Sequence, residues 1–353
     1  MKNEGFIKEI KTADLSVCAD ADTFLQSSMW GEFKSRFGWK PNAFLIKWEG
    51  GEEKPLLAIS RKIAPGFSFV YVPWGPELPN DFPSDKKHFA LCELAVKLKK
   101  YLLKKTVFIR FDPPWYDENS AMFSGDEAQT FLFTGLKRPA ADIQPPDTVL
   151  VDISLPAEKI LENMKPKWRY NISLAEKKGV IVKACGAEDL ETFYSLLKET
   201  SKRDGILIHG IDYYKTLFEL CETEKDEKLN LYIASHEEQA IAAIAVLFRK
   251  DCATYLYGAS SDKKRNLMPS YALQWKAMQD AKEAGCKIYD LFGIPPDDNP
   301  NHPMAGLYRF KTGFGGQVVH RPGSWDYPYK TFFYSLFNLA EKARKKMRDR
   351  KKR

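Results

Sequence analysis

Two widely separated stretches of the chain read alike, and this duplication constrains the fold more than any other feature. The first runs FSFVYVPWGPEL (67–78), then an amphipathic segment near 85–104, then TVFIRFDPPW (106–115). The second runs ATYLYGASS (253–261), then an amphipathic segment near 268–284, then KIYDLFGIPPDD (287–298). Each reads as a strand, a polar loop, a helix, a second strand and a turn containing Pro-Pro. Apolar residues fall at helical spacing in both middle segments: Phe89, Leu91, Leu94, Leu98 and Leu102 in one, Leu273, Met278 and Ala281 in the other. Gly285 follows the second helix, where a C-cap glycine belongs. Each half also opens with helix and a strand pair. Thr23–Phe37 reads as helix before AFLIKWEGGEEKPLLAIS, which pairs two strands around Gly50-Gly51. Helices near 187–202 and 211–222 precede LNLYIASHEEQAIAAIAVLF, a second pair with a charged turn. The joint falls near Pro139–Pro146, in RPAADIQPP. A chain of 353 residues suits two such domains at roughly 150 residues each.

Composition narrows the function classes. The longest apolar run, IAAIAVLF (241–248), is far short of the roughly 20 residues a membrane span needs and reads as a buried strand. The start, MKNEGFIKEIKTADLSVC, has no apolar signal core, so a cytoplasmic protein is expected. The cysteines at 18, 92, 185, 221, 252 and 286 include no C-x-x-C pair, and the five histidines lack ligand spacing, so no metal is expected. Residues 342–353, KARKKMRDRKKR, carry nine cations and one acid, which leaves the rest of the +7 chain near −1. The basic character is a tail, not a broad nucleic-acid surface.

Several constellations could carry chemistry. GLYRFKTGFGG (306–316) sets Phe310 and Lys311 among four glycines, without Walker spacing. Trp30 and Lys34 are one helical turn apart, which lets the ammonium lie over the ring. Lys165, Lys167, Arg169, Lys177 and Lys178 cluster at a helix start, where they suit phosphate or a solvated face equally. Ser201 and Arg203 close a helix and offer a hydroxyl and a guanidinium to a phosphate. Asp112 ends a strand before Pro113-Pro114, and Asp290 holds the twin position; carboxylates there serve a ligand crevice or a turn. Tyr255 and Tyr257, at strand alternation, share one face with a pocket or with packing. Nothing resembles a Ser–His–Asp or Cys–His arrangement, so an enzyme of this sequence would position activated substrates and stabilise charge.

Taken together, LQSSMWGEFK, YVPWGP, FIRFDPP, IQPPDTVLVDIS, MKPKWRYNISLAEKKGV, TSKRDG, LYGASSDKKRNLMPSYALQW and GLYRFKTGFGG resemble the FemABX family, in family order from about residue 23 to residue 319. These are non-ribosomal peptidyl transferases that move an amino acid from aminoacyl-tRNA to the side-chain amine of a peptidoglycan precursor. The resemblance implies an α/β (α+β) fold of two GNAT-like domains in tandem. Residues 1–147 plus 318–353 would form the muropeptide side and residues 148–317 the tRNA side. The short turn near Cys221–Leu231 implies the armless type. Lys34 and Arg203 fall where the family binds a muropeptide diphosphate, with Ser201 assisting and Tyr257 near a substrate-holding tyrosine. A family tyrosine is replaced here by Leu207. Asp112 matches a cleft aspartate, a candidate base. Phe310 and Lys311 match the pair at the tRNA acceptor end, Phe310 stacking on adenosine and Lys311 neutralising phosphate or an oxyanion, with Gly313, Gly315 and Gly316 admitting the ligand backbone. Arg169, Lys345 and Lys346 are candidates for tRNA or membrane contact.

The implied partners are aminoacyl-tRNA as co-substrate, with no cofactor, and UDP-MurNAc-pentapeptide or lipid II as acceptor. A monomer is expected, peripheral at the inner membrane face through its basic tail. Two rivals stand beside this reading: an acyl-CoA-dependent GNAT N-acyltransferase, whose glycine-spaced pyrophosphate loop is missing from SSDKKRNLMPSYA, and a non-catalytic tRNA-binding adaptor.

Overall fold

The computed structural model describes residues 5–116 and 135–351, with side chains as far as Met347. The chain divides into two compact units: residues 1–146 with 320–353, and residues 147–319.

The first unit is built on a six-stranded sheet ordered β1-β2-β3-β4-β5-β13. Its strands are β1 (Ile7–Ala13), β2 (Lys40–Trp48), β3 (Glu53–Ala64), β4 (Phe67–Val72), β5 (Thr106–Phe111) and β13 (Trp325–Pro328). β1 to β4 form an antiparallel meander, and β4 pairs with β5 in parallel. A parallel pair needs a crossover, and α2 (Lys87–Leu98) supplies it. Its apolar stripe, Leu91, Leu94 and Leu98, is fully buried against Val70, Val72, Ile109 and Phe111 of the two strands it joins. The expected helix Thr23–Phe37 is shorter: a 3-10 turn at Phe24–Gln26 precedes α1 (Ser28–Ser35). The break lies at Ser27, whose extended backbone lets its hydroxyl accept from the Trp30 N–H at 3.1 Å, an N-cap in the middle of the periodic run.

The second unit repeats the plan in a seven-stranded sheet ordered β12-β6-β11-β10-β9-β8-β7. Here the strands are β6 (Asp147–Asp152), β7 (Ile181–Cys185), β8 (Glu227–His236), β9 (Gln239–Arg249), β10 (Cys252–Ser260), β11 (Ile288–Asp290) and β12 (Gln317–His320). β10 and β11 are parallel, joined by the crossover helix α7 (Pro269–Glu283). Gly285 caps that helix with a φ of +93°, which suits a residue without a Cβ. The other helices are α3 (Ala157–Asn163), α4 (Pro166–Lys177), α5 (Leu190–Asp204), α6 (Ile211–Thr223) and α8 (Ala305–Thr312). IAAIAVLF is the buried centre of β9. Between α6 and β8 there are only residues 224–226, so no coiled-coil arm is inserted there.

One expectation about side-chain direction fails. The β10–β9 register slips between Tyr255, opposite Val246, and Tyr257, opposite Ala245. This β-bulge inserts one residue, so the two tyrosines leave opposite faces of the sheet instead of sharing one. Gly258 falls on the Tyr255 side, where a Cβ would lie 1.8 Å from the Tyr255 hydroxyl.

Candidate functional site

In the first unit, α1 and the strand ends place two of the candidate residues. Lys34 lies one turn beyond Trp30, with Nζ 5.1 Å from its ring centroid, 5.8 Å from that of Phe33 and 5.9 Å from that of Trp39. The Arg61 guanidinium lies 5.3 Å over the same Trp39 ring. Burial, helped by Arg61, lowers the Lys34 ammonium to about 8. Two cations on three aromatic faces form a ready anion site, and Arg61 is a member that sequence spacing did not reveal.

Trp39 also packs 6.2 Å from Tyr71, whose hydroxyl donates to Asp112. Asp112 is buried one residue past the end of β5. It accepts from Tyr71 and Ser324 hydroxyls and from the Gln144 N–H at 3.3 Å. Burial pushes its carboxyl up to about 6, against the opposing pull of the Ser324 and Tyr71 hydrogen bonds. Three of its roughly four acceptor positions are therefore engaged within this unit, an arrangement that ties the segments of Gln144 and Ser324 to the end of β5. Tyr71 lay in the YVPWGP motif; nothing in RPGSWD flagged Ser324.

In the second unit, GLYRFKTGFGG is not a glycine loop around a ligand. Residues 305–312 are helix α8, and Lys311 points inward, 5% exposed. Its Nζ donates to the carbonyls of Phe292 at 3.1 Å and Gly293 at 3.0 Å and lies 5.1 Å over the Tyr255 ring. Burial lowers it to about 7, with Asp290 opposing. Phe310, partly exposed, stands edge-on to Tyr271 at 5.3 Å and Phe314 at 5.2 Å. The glycines serve the fold. A Cβ on Gly313 would meet Trp168 at 2.1 Å, on Gly315 the Asn163 carbonyl at 2.3 Å, and on Gly316 the Leu150 carbonyl at 2.5 Å. Close approach is to α3, α4 and β6, not to a ligand.

Ser201 and Arg203 do not form a joint clamp. Two residues apart on α5, they point apart: Ser201 donates to the Ile206 carbonyl at 2.6 Å, while Arg203 donates to the Ser260 carbonyl at 2.8 Å and pairs with Asp204 and Asp262 at 2.8 and 3.2 Å. Tyr257 packs edge-on against Tyr214 at 5.2 Å and shares a hydrogen bond with Tyr213. Arg169 is also committed, since its guanidinium donates to the Leu161, Glu162 and Met164 carbonyls that end α3. Lys345 reaches the Ala140 carbonyl at 3.1 Å, and Lys346 is exposed. The basic residues from 348 onward lie outside the described side chains. Among the described residues no group of three His, Cys, Asp or Glu is set to hold a metal ion.

A profile of the FemAB family matches residues 16–229 and 219–342. The chain belongs to the FemAB family. Its curated relatives include lipid II:glycine glycyltransferases of Staphylococcus aureus. Those of strains COL and USA300 are each 22% identical over 96% of this chain and 94% of theirs. Among solved structures, FemX superposes with a TM-score of 0.78 at 20% identity, over 94% of this chain and all of that one. A tandem GNAT protein from clavulanic acid biosynthesis gives 0.51 at 11% identity, over 90% and 98%. The fold is thus that of FemX, with two GNAT-like domains in tandem, and this FemAB protein shows no coiled-coil arm among the described residues. Leu207, which the resemblance sets in the place of a family tyrosine, is 91% exposed just beyond the end of α5. That position contributes no hydroxyl, whereas Tyr213 and Tyr214 bring phenols to Tyr257 from the following helix. The YY pair in IDYYKTLF was legible only as helix, because its meaning depends on the bulge that turns Tyr257 toward it.

Proposed function

We propose that the protein transfers an amino acid, glycine, alanine or serine, from aminoacyl-tRNA to the side-chain amine of a peptidoglycan stem peptide, building an interpeptide bridge. It is an aminoacyltransferase. The acceptor is a muropeptide carried on a nucleotide or, as in the names of its staphylococcal relatives, on lipid II. It works without a cofactor, as a monomer on the cytoplasmic side and peripheral to the membrane. The observation that carries this reading is Lys311: a buried ammonium held by two neutral carbonyls, next to a partly exposed ring, in a chain whose FemAB match spans both units.

The chemistry is balanced without an added reagent. The acceptor amine attacks the ester carbonyl, a C–N bond forms, the C–O bond to the tRNA ribose breaks, and the amine proton ends on the released hydroxyl. Lys311, poised near 7, is charged in a large fraction of molecules at neutral pH and opposes the oxyanion of the tetrahedral intermediate. Phe310, partly exposed, stacks on the terminal adenosine. Lys34 with Arg61, and Arg203 with Tyr257, hold the anionic and polar parts of the precursor. Asp112 acts as a positioning residue, since its oxygens are engaged by Tyr71, Ser324 and Gln144.

The test offers labelled glycyl-, alanyl- and seryl-tRNA with UDP-linked muropeptide or lipid-linked precursor to wild type and Lys311→Ala. Label reaching one acceptor, and lost in the variant, supports the reading. Turnover of acetyl-CoA on an amine, with no transfer from any tRNA, overturns it in favour of a GNAT N-acyltransferase. Tight tRNA binding without transfer, indifferent to Lys311→Ala, leaves an adaptor.

A further inference from the structure

The helix α9 (Thr331–Lys351) returns to the first unit and has two apolar faces where a surface helix has one. Its inner face is anchored. Tyr334 is buried and donates to Asp326 at 3.0 Å, and the Phe337 ring lies 5.0 Å from that of Phe108. Glu341 accepts from Arg110, which is itself paired with Asp326 at 2.6 Å. This buried network fixes the rotation of the helix about its axis. At 100° per residue, the opposite side then carries Phe332, Leu336, Leu339, Ala343 and Met347 in one stripe. Phe332 is 70% exposed and Leu339 63%, with Leu336 and Met347 each more than half exposed. Lys342 and Lys346 border the stripe on one side and Arg344 on the other, all exposed.

An outward apolar stripe bordered by cations serves neither packing nor solubility. We propose that α9 docks the protein on an anionic lipid surface, lying in the plane of the bilayer with Phe332, Leu336, Leu339 and Met347 at the headgroup–acyl boundary. The charge fits: residues 342–353 hold nine cations against one acid. The form fits as well, since the stripe runs about 22 Å along the helix, at 1.5 Å per residue, and no helix among the described residues is long and apolar enough to cross a membrane. RNA phosphates would be met by the cations but would leave the leucines and Met347 with nothing to cover them. A second copy of the chain would bring the same cations to this face, not the opposite charge they call for. The inference stands apart from the transfer reaction and needs none of its substrates.

The experiment is flotation of the full-length protein with vesicles of phosphatidylcholine alone and of phosphatidylcholine with phosphatidylglycerol, at low and high salt. Wild type should float with the anionic vesicles, less so at high salt, and stay behind with the neutral ones. The pair Leu336→Glu with Leu339→Glu should lower the bound fraction at least about tenfold. It should keep a melting temperature close to that of wild type, because Leu336 and Leu339 are each more than half exposed on the side of α9 away from Tyr334 and Phe337, and keep transfer to a soluble nucleotide-linked acceptor. Replacing Lys342, Arg344 and Lys346 by Gln should weaken binding and reduce its salt dependence. Wild type failing to float overturns the proposal, as does flotation unchanged by the paired Glu variant. Non-floating wild type that elutes as a dimer, made monomeric by the Glu pair, assigns the stripe to a second copy. Non-floating wild type that binds tRNA through the basic residues, indifferent to the Glu pair, assigns the helix to RNA.

Discussion

Tyr255 and Tyr257, two apart on β10, face opposite sides of their sheet. Tyr255 lies beneath the Lys311 ammonium, and Tyr257 lies among the phenols of α6. Their substitutions should therefore separate. Tyr255→Leu removes a cation–π contact worth roughly 0.5–2 kcal/mol and with it part of what keeps Lys311 charged. It should lower kcat several-fold and leave the KM for the muropeptide acceptor unchanged. Tyr257→Phe loses a hydroxyl on the proposed precursor side and should raise that KM with little change in kcat. Steady-state kinetics on both variants decides it, and a reversed pattern would contradict the assignment of the two faces.

The duplication, the two parallel crossovers and the elements that hold Lys34, Asp112, Ser201, Arg203 and Tyr257 were legible in the sequence, because hydrophobic period and Gly and Pro placement are local signals, whereas the glycines of GLYRFKTGFGG concealed the helix that carries Phe310 and Lys311. What it hid was non-local or subtractive. The bulge at Tyr255–Tyr257 leaves no mark in the residue pattern. The engagement of Asp112 depends on Ser324, distant in the chain. The glycines of GLYRFKTGFGG look like ligand glycines until Trp168 and the Asn163 carbonyl are found against them. The pairing of Arg61 with Lys34 over Trp39 needed the β3–β2 register to bring it about.

Asp112 should leave a signature in the pH dependence of stability. Its carboxyl sits at about 6 in the fold against an ordinary 3.8. Between those values the unfolded chain has lost the proton and the folded chain retains it. The contribution is thus fully present below 3.8 and is lost as pH rises through 6, on the order of a few kcal/mol. Asp112→Asn should flatten that segment. Urea unfolding of both proteins at pH 4 and pH 7 reads the difference, and parallel curves would refute the raised carboxyl.

The two ends of GLYRFKTGFGG should respond oppositely to a methyl group. At Gly306 in α8 nothing lies within 4 Å of an added Cβ, so Gly306→Ala should be neutral or stabilise by up to about 1 kcal/mol through helix propensity. At Gly313 the Cβ would lie 2.1 Å from the Trp168 ring, whose Nε1 donates to the Phe310 carbonyl at 2.9 Å. Gly313→Ala should cost roughly 1–3 kcal/mol by overpacking and disturb Phe310. Melting temperatures rank the two variants, and a Gly313→Ala protein as stable as wild type would remove Trp168 from its place.

Lys311 sets function against stability. Burial holds its ammonium at about 7, well under the ordinary 10.5. Above 10.5 both states are neutral and the residue is without penalty. As pH falls toward 7 the unfolded chain takes a proton that the folded chain does not, and stability declines by an amount on the order of a few kcal/mol. Lys311→Met, similar in volume, removes this slope. Relative to wild type the variant should thus gain stability between pH 10 and pH 7, while transfer falls by about two orders of magnitude through loss of the charge opposing the oxyanion. Lys311→Arg keeps a charge that burial does not neutralise and should restore the charge without the titration, so its residual activity should lose the ionisation near 7 in the kcat profile. Chemical denaturation at the two pH values, with kcat across pH 6–9, tests both halves. A Met variant whose stability tracks wild type across this range would show that Lys311 is not held near 7.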